Sequence, residues 1–150
     1  MSDLRAIQHF CAYQERCHSE VRHKLLLLNF RGAELEEAIS SLIQDDFLNE
    51  ERFARSYIRG KFKLKHWGRH KIIHQLKQKQ VSEYCIRKGL QEIEEEEYEK
   101  VLTKLVEQKI SEYTKVKHPA IRKQKTIRYL MQRGFEYELI IEVWNTLNPQ

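Results

Sequence analysis

One apolar pattern recurs three times in register, and it leaves this chain little choice of architecture. Leu25, Leu76 and Leu130 anchor it, at spacings of 51 and 54 residues. Five residues after each anchor stands Phe30, Val81 or Phe135; five further, Leu35, Ile86 or Ile140; four beyond those, Ile39, Leu90 or Trp144. Upstream, Val21, Ile72 and Ile127 complete the pattern within one residue. A repeat near fifty residues means stacked supersecondary units, each burying its apolar face against its neighbours. The expected boundaries are 1–46, 47–96 and 97–150.

Within each unit the period is helical, most clearly at Phe53, Ala54, Tyr57, Ile58 and Phe62, which share one face at 3.6 residues per turn. The reading is three helices per unit. The first helices span roughly 4–15, 50–62 and 98–113; the second, 19–28, 69–79 and 120–132; the third, 33–43, 83–91 and 136–145. Ser19, Asn49 and Ser82 are candidate N-caps, each followed by Glu, which suits the positive end of a helix. Pro119 fits a first helical position, and Gly32 and Gly134 fit the ends of second helices, where a left-handed residue stops the helix. No stretch alternates as a strand does. The expected fold is all-α: three tandem three-helix, helix-turn-helix-like repeats.

Charged residues make up 33% of the chain and apolar ones 41%, so the core is thin and an open, high-surface shape is expected. The net charge of +5 hides a block pattern. Seven Lys or Arg and no acid lie between Lys61 and Lys79; seven more, again without an acid, lie between Lys115 and Arg133. Between these blocks, Glu92 to Glu99 holds six acids and no base. Three cysteines form no even disulfide framework, nothing at the N-terminus reads as a signal peptide, and the apolar run Leu25–Leu28 is far too short to span a bilayer. A soluble, monomeric protein of a reducing cytoplasm, with free thiols and no membrane partner, is expected.

Two constellations stand out. Arg52, Arg55 and Arg59 fall at i, i+3 and i+7, on one helix face. They form either a stripe that meets phosphates or partner carboxylates, or a solvated face paired to neighbouring Glu. The stretch Lys61-Phe62-Lys63-Leu64-Lys65-His66-Trp67-Gly68-Arg69-His70-Lys71 alternates bases with apolar residues at a helix junction. It is either a nucleic-acid or acidic-protein surface, or a core of Phe62, Leu64 and Trp67 with lysines in water. The candidate partner or DNA-binding residues are Arg52, Arg55, Arg59, Lys61, Lys63, Lys65, Arg69 and Lys71, with Lys115, Lys117, Arg122, Lys123 and Lys125 in the last unit. Neither the His66, His70, His74 set nor the Cys11, Cys17, His18, His23 set carries a CxxC or HExxH, so no metal site is expected. No GxSxG and no phosphate-cradling glycine loop are present, so no catalytic residue, no cofactor and no enzymatic activity are expected.

The stretch from Phe47 to Lys61, Phe-Leu-Asn-Glu-Glu-Arg-Phe-Ala-Arg-Ser-Tyr-Ile-Arg-Gly-Lys, resembles the central signature of the RecX family, bacterial regulatory proteins that act on the RecA recombinase. Three further segments are similar to the family in its order: His18 to Leu25, Trp67-Gly68-Arg69-His70-Lys71-Ile72 leading to Leu76, and Arg133-Gly134-Phe135-Glu136. The resemblance implies three tandem three-helix repeats in an elongated, curved molecule. It implies binding in the groove of a RecA filament on single-stranded DNA, with inhibition of RecA's ATPase, strand exchange and SOS co-protease activities. A helix-turn-helix-type protein that binds DNA directly is the alternative, although the third helices begin Ala33-Glu34, Ser82-Glu83 and Phe135-Glu136, which oppose phosphates. The family often places Gly before the residue that ends each second helix. Here Asn29 and Gln80 hold two of those places. Gln enters the left-handed region less readily than Asn, so the second junction is expected to be built differently.

Overall fold

The computed structural model describes residues 3–149, and among them lie nine α-helices and one 3-10 turn, with no strand. The helices group in threes. α1 (Arg5–Tyr13), α2 (His18–Leu27) and α3 (Gly32–Gln44) form the first repeat; α4 (Glu50–Lys65), α5 (Arg69–Gln78) and α6 (Glu83–Gly89) the second; α7 (Glu95–Glu112), α8 (Pro119–Gln132) and α9 (Tyr137–Leu147) the third. Each lies within three residues of the span expected for it. α7 opens earlier than the period alone suggested, because Glu95, Glu96 and Glu97 fill its first turn and suit the positive end of the helix. None of these helices is long and apolar enough to cross a membrane.

The anchors of the sequence pattern are the points at which second helices close. The Phe30 N–H donates to the Leu25 carbonyl at 2.9 Å, Val81 to Leu76 at 3.1 Å and Phe135 to Leu130 at 3.0 Å. The residue just before the donor is left-handed each time: Asn29 at φ 69°, Gln80 at 63° and Gly134 at 99°. This six-to-one bond gives a partner to a carbonyl that the helix end would otherwise leave bare. The second junction is therefore built like the other two, against expectation, because the closing bond and the burial of Val81 hold Gln80 in a conformation it disfavours alone. Two more helices end at a left-handed residue, α3 with the same reach of five positions and α4 with a reach of six. Phe47 donates to Leu42 at 2.9 Å after Asp46, and Trp67 donates to Lys61 at 3.1 Å after His66, with Asp46 at φ 62° and His66 at 54°. Gly32 does not end α2; it is the first residue of α3.

Other start signals divide. Asn49 Oδ1 accepts from the Arg52 N–H at 2.9 Å and Ser82 Oγ from the Cys85 N–H at 3.2 Å, so both cap as read. Ser19 does not: α2 starts at His18, the Cys17 N–H donates to Glu20 Oε1 at 3.1 Å, and the Ser19 hydroxyl donates to the Lys79 carbonyl at 2.7 Å. The upstream rung also shifts in the third repeat. Thr126, not Ile127, is fully buried four residues before the anchor. Its hydroxyl donates to the Arg122 carbonyl at 2.9 Å, which removes the cost of burying it.

By contact the chain divides into two compact units, residues 1–58 with 75–91 and residues 59–74 with 92–150. The divisions fall inside α4 and α5. In the first unit, Ile7, Val21, Leu25, Phe30, Leu35, Ile39, Leu42 and Leu48 pack into one buried cluster. There, too, the Glu20 carboxylate is held by two donors. Burial opposes its charge, but the Cys17 N–H and the Lys79 ammonium at 3.2 Å outweigh it and keep the carboxyl below its ordinary range.

In the second unit, three rings stack in series, Phe62 to Tyr98 at 5.7 Å and Tyr98 to Phe135 at 5.2 Å. Two backbones touch beside them. The Gly68 N–H donates to the Arg133 carbonyl at 2.7 Å and the His70 N–H to the Gly134 carbonyl at 2.9 Å. A Cβ on Gly68 would overlap the backbone of Gly134 and Phe135, so only glycine fits. The fully buried Tyr98 hydroxyl accepts from the Arg69 N–H at 3.0 Å and donates to the Glu136 carboxylate. Burial first, then the Glu136 carboxylate, pushes this phenol far above its ordinary value.

Two outcomes follow from these geometries. Gln80→Gly relieves the left-handed strain and raises stability by about 0.5–1 kcal/mol in urea denaturation; a loss of stability would contradict the assigned backbone. Tyr98→Phe lowers stability by about 1–3 kcal/mol at pH 8. The folded phenol resists ionisation while the unfolded one releases its proton near pH 10, so Tyr98 contributes stability below that value and loses it as pH rises. Stability measured by denaturation between pH 8 and 11 should therefore fall off less steeply in the variant; parallel slopes would remove Tyr98 from this role.

Candidate functional site

The arginines read as a binding stripe are built into the chain's own ion pairs. Arg52 meets Glu15 at 2.6 Å and Asp46 at 3.1 Å. Arg55 pairs with Glu51 at 3.1 Å and donates to Gln91 at 3.3 Å. Arg59 pairs with Glu92 at 2.5 Å. Arg69 binds Glu136 at 2.7 Å and Glu95, and lies over the Tyr98 ring at 3.8 Å. Of the two readings open for the stripe, pairing to carboxylates describes its geometry, but with partners that include groups 33 and 37 residues away. Such pairs hold segments together, and the planar guanidinium suits them better than an ammonium does.

The lysines are placed differently. Lys63 and Lys65, on the last turn of α4, are exposed. Between them Leu64 is 81% exposed, so it is not core, whereas Phe62 is buried. Trp67 is half-buried and lies under two ammonium groups, Lys71 at 4.3 Å and Lys61 at 4.8 Å from its ring. The junction of α4 and α5 thus presents an aromatic face, an aliphatic tip and four lysines, all from the second contact unit. The turn that shapes it is fixed by Arg133, whose guanidinium donates to the carbonyls of Lys65 and His66. The side chains of Lys63 and Lys65 are left to the solvent.

The last basic block forms a separate group around α8. Lys115 and Lys117 are exposed on the segment before the helix, and Lys125 is exposed on it, 5.6 Å from the Tyr113 ring. Arg122 and Lys123 are half-buried and line a cavity of about 900 Å³ with Trp144, Asn145 and Asn148. Ile127 and Met131 face outward beside Arg128 and Tyr137, a grouping the apolar ladder concealed by assigning Ile127 to the core. Among the described residues no group of three or more His, Cys, Asp or Glu is placed to hold a metal ion.

Comparison with known proteins agrees with the three-helix repeats. Residues 49–90 match the family model for the second three-helix domain of RecX, and residues 95–144 match the model for its third. The regulatory protein RecX of Clostridium perfringens strain 13 is 32% identical over 124 residues, covering 82% of this chain and 58% of that protein. RecX of Lactobacillus gasseri is 30% identical over 141 residues, covering 92% and 52%. The chain therefore spans little more than half the length of these curated relatives. In fold it is similar to the crystal structure of RecX from Lactobacillus salivarius, with a TM-score of 0.88 at 23% identity over 97% of this chain and 94% of that one. With two of the family's domain models matched in succession along tandem three-helix repeats, the chain belongs to the RecX family of regulatory proteins.

Proposed function

We propose that this chain is a non-enzymatic regulator that docks on the RecA recombinase filament assembled on single-stranded DNA and lowers its ATPase, strand-exchange and SOS co-protease activities. The observation that carries the reading is the division of labour among the bases. The arginines of α4 and α5 are held by internal carboxylates, while at the α4–α5 junction Lys63 and Lys65 are exposed and Lys71 lies over the Trp67 ring, none of the three in an ion pair among the described residues. Lysine is a compact, mobile point charge. Several of them at one helix junction attract a polyanionic filament over long range and still release it. Inhibition follows from occupancy: a protein seated across adjacent filament subunits opposes the rearrangements that accompany ATP turnover.

Direct reading of duplex DNA fits the geometry less well. Glu34, Glu83 and Glu138 stand in the first turns of α3, α6 and α9, where a recognition helix presents Arg, Asn or Gln to bases. The test is RecA's single-stranded-DNA-dependent ATPase at sub-stoichiometric ratios of this protein. The wild type slows it. Lys63→Glu with Lys65→Glu needs roughly tenfold more protein for the same effect, in line with the loss of two steering charges, while the melting temperature is unchanged. Full inhibition by the double variant would displace the assigned surface. Tight, sequence-specific retention of duplex DNA without RecA would displace the whole reading.

A further inference from the structure

The third repeat carries a second surface whose chemistry is unlike that of the lysine junction. α8 buries Thr126 and Leu130 on one side. Its other side keeps apolar groups in solvent: Met131 is 50% exposed and Ile127 half-buried, and Tyr137, at the start of α9, is 50% exposed beside them. With Gln124 these groups line an open groove of about 620 Å³. Gln124, Ile127 and Met131 follow one another at three and four residues, so they form a straight stripe along the helix. Its bases are Lys123 and Arg128, and neither forms an ion pair among the described residues. No acid lines the groove, and the sequence from Lys115 to Arg133 holds none.

We propose that this groove docks an acidic amphipathic helix of a protein partner, three turns or so in length. The stripe sets the shape, since a helix laid into a groove presents apolar residues at i, i+3 or i+4, and i+7. Lys123 and Arg128 set the charge, because carboxylates on the partner's flanks reach them while its apolar face covers Ile127, Met131 and Tyr137. The groove's aliphatic floor distinguishes the occupant from nucleic acid: Ile127 and Met131 offer phosphates nothing, and single-stranded bases seek aromatic platforms and a continuous basic track. The flexible thioether of Met131 adapts to the side chain placed on it. This site is independent of the function proposed above, so either can fail without the other.

The experiment uses the full chain and a fluorescein-labelled synthetic peptide of sixteen residues, with Leu at i, i+4, i+7 and i+11 and otherwise mainly Glu and Ala. A Lys-for-Glu version of the peptide and a labelled oligo-dT serve as the competing ligands. Fluorescence anisotropy should show saturable binding of the acidic peptide at least tenfold tighter than of the basic one. Arg128→Glu with Met131→Glu, both at solvent-exposed positions, should weaken that binding at least tenfold with an unchanged circular dichroism melting curve, and Lys63→Glu with Lys65→Glu should not. Equal binding of both peptides, full binding by the α8 double variant, or loss in that variant of oligo-dT binding instead of peptide binding would each overturn the proposal.

Discussion

A helix that stops inside a small protein must find partners for its last carbonyls, and in this chain a single backbone solution serves repeatedly. One residue turns left-handed, and the next N–H reaches back five positions to the helix's final turn. The bond does more than satisfy an acceptor. It swings the donor residue under the helix, so Phe30, Val81 and Phe135 enter the core as a consequence of the turn. The third helix of each repeat departs from that point, and its apolar residues find the positions left for them. A core this thin has little margin for a misdirected helix, which is why the same closure recurs even where the residue available to make it is Gln80.

Charge in this protein sorts by chemistry as much as by position. Guanidinium groups, with several fixed donors, are used where two carboxylates or a carboxylate and a carbonyl must be joined, as at Arg52 and Arg69. Ammonium groups are left at the tip of α4, where Lys63 and Lys65 remain exposed. The acidic run that separates the basic blocks in sequence takes part in this sorting, since Glu92 and Glu95 are partners of Arg59 and Arg69. A formal charge of +5 therefore understates how unevenly the protein presents itself to a partner, and the arginines contribute less to that presentation than their number suggests.

The helices and their tripling were legible in the sequence because the anchors Leu25, Leu76 and Leu130 are buried and local closures fix their spacing. Caps at Asn49 and Ser82 and the start at Pro119 were legible for the same local reason. Ser19 was misread because its hydroxyl is claimed by the Lys79 carbonyl, sixty residues away. Thr126 was passed over because a search for apolar residues cannot see a hydroxyl satisfied one turn back on its own helix. The arginine stripe was visible as a face, yet its two readings stayed open: the carboxylates that occupy it come from the segment between α1 and α2 (Glu15), the 3-10 turn Leu90–Glu92 and the loop before α4 (Asp46) as well as from α4 itself. The alternating pattern left Leu64 open between surface and core, and only the geometry of the helix end shows that it points to water.

The contact of Gly68 with Gly134 limits how this family member can vary. Most packing faults can be relieved by trimming the residue opposite, so a larger side chain at one place is tolerated once a smaller one faces it. Here the atoms in the way are main chain, that of Gly134 and Phe135 at one site and that of Lys71 and Gly68, with the Lys71 Cβ, at the other. No reciprocal substitution exists that makes room, because main chain cannot be trimmed. Any suppressor of a change at either site has to act by moving main chain, and the ring stack of Phe62, Tyr98 and Phe135 lies against the chain that would have to move.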